Sequence, residues 1–80
     1  MSLARFMVDP SKVRVSIRQA RDRWIAFIAP RDGRGETIYY NSSNPSRAIL
    51  KALQLADRKK MKGIDLGMQW AYIHPMEVAG

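Results

Sequence analysis

The sequence predicts an α+β fold: a three-stranded antiparallel sheet, one amphipathic helix and one or two further C-terminal strands, in the order β-β-β-α-β. Three observations carry that prediction. Residues 12–18 alternate polar and apolar without a break, the period of a strand buried on one face. Residues 24–29, Trp-Ile-Ala-Phe-Ile-Ala, form an apolar run of strand length. After Asn44-Pro45 the apolar spacing lengthens to three and four, the period of a helix.

Each element follows from its residues. Residues 1–11 read as an irregular lead-in, with Asp9-Pro10-Ser11 as a turn signal, and no inference rests on Met1-Ser2-Leu3. The first strand turns Val13, Val15 and Ile17 inward and Lys12, Arg14, Ser16 and Arg18 outward. A polar connection over residues 19–23 leads to the apolar run. That run reads as a central strand, covered on both faces or on one face plus a bound partner. Pro30-Arg31-Asp32-Gly33-Arg34-Gly35 is a turn, because Asp-Gly and the second Gly supply positive φ at little cost. Glu36-Thr37-Ile38-Tyr39-Tyr40 suits a third strand, and the three most simply form a meander.

Asn41 to Asn44 ends the sheet. Asn44 is a good N-cap and Pro45 fits the first helical position, where its missing N–H costs nothing. The helix runs to about Lys60, with Ile49, Leu50, Ala52, Leu53 and Ala56 on one face. Arg47, Lys51, Gln54 and Arg58 fall opposite, and Gly63 reads as the stop. Residues 64–73 read as one bent strand or a tight strand pair, ended by Pro75, and residues 76–80 as a frayed tail. No repeat or linker interrupts the chain, so residues 1–80 are expected to form one domain.

Charge sets the functional expectation. Fourteen Lys and Arg stand against seven Asp and Glu in 80 residues, and they are threaded through the patterned segments. A basic surface built into a small fold implies an acidic partner: nucleic acid, a ribonucleoprotein or an anionic protein face. The chain has no cysteine, which removes disulfides and thiolate metal sites and suits a reducing cytoplasm. No run approaches the roughly 18 apolar residues of a membrane helix, and the first residues lack the apolar centre of a signal peptide.

Several constellations compete with plainer explanations. Lys12, Arg14 and Arg18 form a basic row that could follow a phosphate backbone, or simply face water and discourage edge pairing. On the helix, Lys59, Lys60 and Lys62 suit a helix C-terminus, whereas Arg47 and Lys51 lie where the dipole does not select positive charge. Arg31 and Arg34 flank Gly33 in a loop that matches no nucleotide-binding motif and reads first as a turn. Trp24, Tyr39, Tyr40, Trp70 and Tyr72 are expected mostly in the core. Tyr39 and Tyr40 are adjacent on a strand, so one of the two must face outward. His74 has no evident partner for nucleophilic or metal chemistry, and the scattered carboxylates form no acid–base pair. Neither catalysis nor a cofactor is expected.

Three resemblances follow from this layout. The strands and helix of residues 12–60 resemble the arm-type DNA-binding domain of phage and transposon integrases. That likeness implies a sheet in the major groove, with Arg14, Arg18, Arg31 and Arg34 near DNA. Trp24-Ile25-Ala26-Phe27 followed by a helix is similar to HicB-type antitoxins, although their hairpin is acidic and this one is basic. Asn44-Pro45-Ser46, the helix from Ala48 to Ala56 and the segment Trp70 to Pro75 look like small phage-encoded anti-CRISPR proteins acting on type I effectors. This third resemblance implies a non-catalytic inhibitor docking on a CRISPR ribonucleoprotein. Its expected contacts are Arg14, Arg18, Arg31, Arg34, Arg47 and Lys51, working by charge and shape complementarity. The alternative expectation is direct DNA or RNA binding through the same basic sheet face and hairpin loop.

Overall fold

In a computed structural model the structure describes residues 7–67. Strands β1 (Val13–Ala20), β2 (Arg23–Pro30) and β3 (Ile38–Ser42) precede helix α1 (Pro45–Arg58). The strands form an antiparallel meander in the order β1-β2-β3, and the α+β class read from the sequence holds. The first hairpin turns on two residues, Arg21 and Asp22, with Ala20 opposite Arg23. Arg21 supplies the positive φ of 59° that so short a connection demands.

β3 sits two residues later than the expected span of 36–40. The second loop holds Gly33 and Gly35 at φ 72° and 101°, and it absorbs Glu36 and Thr37. Pairing then runs from Ile28↔Ile38 to Trp24↔Ser42, which draws Asn41 and Ser42 into the strand. β3 stops before reaching Pro30, which has no N–H to give. Buried Ser42 accepts the Asn44 N–H at 3.2 Å, and Asn44 in turn caps the helix by accepting the Arg47 N–H at 3.1 Å.

α1 lies over β2 and β3. Ala48, Ala52 and Ala56 recur every fourth residue and are fully buried, letting the helix approach Ala26, Ile28 and Ile38 on the sheet. Leu50 and Leu53 complete this layer, and Ile49 packs against it part-buried. Because the helix favours β2 and β3, the outer half of β1 is less covered. Val13 is buried as expected, whereas Ile17 remains 36% exposed.

The helix does not stop at Gly63. Lys60 takes a positive φ of 57°, its N–H reaches Asp57 O at 2.9 Å, and the Met61 N–H reaches Ala56 O at 3.0 Å. That pair of bonds is a Schellman stop built on a lysine. Gly63 serves a different need. A Cβ there would meet Lys12 Cβ at 2.8 Å, because the Gly63 carbonyl accepts the Asp9 N–H at 2.7 Å. The lead-in is thereby tied to the segment after the helix. Val8 and Ile64 form one antiparallel bridge, and Met7 and Leu66 enter the core. Residues 64–67 hold that bridge where the start of a strand is expected. The remainder of the expected C-terminal strands, with Trp70, Tyr72 and His74, lies outside the described residues.

Candidate functional site

Strand pairing decides which side chains share the face that α1 leaves open. Residues directly opposite in a sheet point the same way. On one face Val15 pairs with Ile28 and Ile28 with Ile38, and this is the helix side. On the other, Arg14 opposes Ala29, Ser16 opposes Phe27, Arg18 opposes Ile25, Phe27 opposes Tyr39 and Ile25 opposes Asn41. Among the described residues no element lies over this second face. No Asp or Glu stands on it within the three strands.

Its centre is aromatic and cationic. The Phe27 and Tyr39 rings meet edge to face, centroids 5.8 Å apart and planes at 73°. The Arg18 guanidinium carbon sits over the Phe27 ring, 5.9 Å from its centroid. Both geometries are attractive: the ring quadrupole favours an edge-on neighbour and a cation over its face. Arg23 Nε donates to Asn41 Oδ1 at 2.6 Å, fixing both side chains at one end. Tyr39 stays 62% exposed, so its ring is available to a ligand. Tyr40, its neighbour, packs part-buried on the helix side, as strand parity requires.

The predicted contact residues therefore divide. Arg14 and Arg18 stand together on the open face, both exposed. Arg31 braces the fold: its Nε donates to Pro10 O at 2.6 Å and its N–H to Lys12 O at 2.9 Å. Arg34 is exposed in the β2–β3 loop, where its N–H closes an Asx-type turn on Asp32 at 2.8 Å. Arg47 and half-buried Lys51 belong to the helix, with the sheet between them and the open face. The six residues do not form one surface.

Sequence reading passes over Phe27, Arg23 and Asn41. The signal that reaches Phe27 and Arg23 is the two-residue loop Arg21-Asp22, which places Phe27 opposite Ser16 and so beside Arg18. Asn41 is placed instead by the pairing of β2 with β3. A separate cleft of about 650 Å³ lies between the lead-in, the second loop and the end of α1. Two of its cations already have partners: Lys59 pairs with Glu36, and Lys12 lies 3.9 Å from Asp9. The cleft is consequently less cationic than its lysines suggest, and the open face is the stronger candidate.

Among the described residues no group of three or more His, Cys, Asp or Glu is placed to hold a metal ion, and no helix is long and apolar enough to cross a membrane. No protein-family model, curated protein or solved structure matches the chain.

Proposed function

We propose that the protein is a non-catalytic, cytoplasmic nucleic-acid-binding module that uses its open sheet face. The observation that carries this reading is the open face on which exposed Arg14, Arg18 and Tyr39 accompany half-buried Phe27, with no acidic side chain on that face of the three strands. Guanidinium groups attract phosphates, and exposed rings between them meet bases. An anti-CRISPR-like inhibitor docking on acidic protein would also use basic residues. Tyr and Arg also serve protein interfaces, and the nucleic-acid reading is preferred because one face offers both a cation for phosphate and a ring for a base.

Counterion release tests the proposal. Binding of a labelled oligonucleotide, followed by fluorescence anisotropy, should weaken steeply as salt rises. Replacing two phosphate-contacting arginines, Arg14→Gln with Arg18→Gln, should flatten the logarithmic salt slope by roughly 1 to 2. Both side chains are exposed, so circular dichroism should be unchanged. If neither naked DNA nor naked RNA binds at low salt, the reading fails.

A further inference from the structure

We infer that the open face is a stacking platform for single-stranded nucleic acid, with Tyr39 carrying a base and Arg14 and Arg18 holding phosphates beside it. This rests on the reading of the face as a nucleic-acid interface and goes beyond it in naming the form of the ligand.

Three features separate a single strand from a duplex. The first is the chemistry of the exposed ring. Tyr39, 62% exposed as a residue, offers its ring from edge strand β3. Bases inside a duplex are already stacked on one another and present only their edges in the grooves. A splayed single strand presents the π-face that such a ring can meet. The second feature is breadth. The outer strands of a three-stranded sheet lie about 10 Å apart before side chains are added. A major groove of about 12 Å admits a helix or a two-stranded ribbon, which is a tight limit for this face.

The third feature is order. Phe27 takes the Arg18 guanidinium on its ring and Tyr39 at its side, so the three groups brace one another across all three strands. A ring held in place loses little freedom when a base stacks on it. Arg14 and Arg18 stand about 13 Å apart along β1, enough to flank two or three stacked nucleotides. Sequence tolerance is expected, since every base has a π-face.

The test uses one mixed-sequence oligonucleotide of about 12 nucleotides, alone and annealed to its complement, in deoxy and ribo forms. Anisotropy titrations compare the intact protein with Tyr39→Ala and Tyr39→Phe. The single strand should bind more tightly than the duplex. Tyr39→Ala should weaken single-strand binding about 5- to 150-fold, leave duplex binding unmoved, and be rescued by Tyr39→Phe. Unchanged circular dichroism in Tyr39→Ala shows that a loss is local to the face. Equal or tighter duplex binding, or single-strand binding indifferent to Tyr39→Ala, overturns the inference while leaving the nucleic-acid reading intact. Absence of binding to every form overturns both. The deoxy and ribo arms identify which single strand is preferred.

Discussion

Asp9 holds together the turn that admits the chain to the sheet. Its Oδ1 accepts the Ser11 hydroxyl at 2.6 Å and the Ser11 N–H at 3.0 Å, with Lys12 near its other oxygen. The Ser11 hydroxyl bond, then the Ser11 backbone bond, and more weakly the Lys12 charge keep this carboxyl below the ordinary aspartate range. A carboxylate with a folded value below its unfolded one stabilises the fold above the unfolded value. That contribution disappears as pH falls through the folded value. Asp9→Asn should therefore be destabilising near neutrality, and its difference in urea midpoint from the parent protein should shrink in acid. A pH-independent difference contradicts the assignment. Asp9-Pro10-Ser11 is legible in the sequence as a turn. Its closure against Gly63 is not, because contact between residues so far apart depends on where the helix ends.

At the scale of elements, the end of α1 shows where pattern reading goes wrong. Gly63 reads as a stop because glycine adopts positive φ without penalty, yet the helix turns at Lys60, and Gly63 meets a steric demand from Lys12. A non-glycine residue in the left-handed region costs about 1–2 kcal/mol. Lys60→Gly should consequently stabilise the protein by about 1 kcal/mol, seen as a higher urea midpoint at unchanged slope. A lower midpoint contradicts the Schellman assignment. The strands were more legible. Alternation along residues 12–18 assigns Arg14 and Arg18 to the outer face correctly, because helix and solvent impose opposite polarity on the two sides. The apolar run of β2 carries no such contrast. Which of its residues joins Arg18 depends on loop length, and that is why Phe27 escapes a reading by composition.

For the whole molecule, the net charge of +7 is not one surface. Arg31 and Lys59 are engaged in holding the fold, and Arg47 and Lys51 lie in the helical layer. Arg14 and Arg18 remain on the open face beside two aromatic rings. Sequence reading places Arg14 and Arg18 on the outer face, which is half of the open-face cluster. The strand register adds the Phe27 and Tyr39 rings beside Arg18. Placement of a nucleic acid on the open face is the proposal most directly tested by an amide chemical-shift titration with a single-stranded oligonucleotide. The largest perturbations should fall on alternate strand residues, at Arg14, Ser16 and Arg18, at Ile25 and Phe27, and at Tyr39 and Asn41. Perturbations centred on Arg47, Lys51 and Arg58 of the helix, with the sheet unmoved, would contradict it.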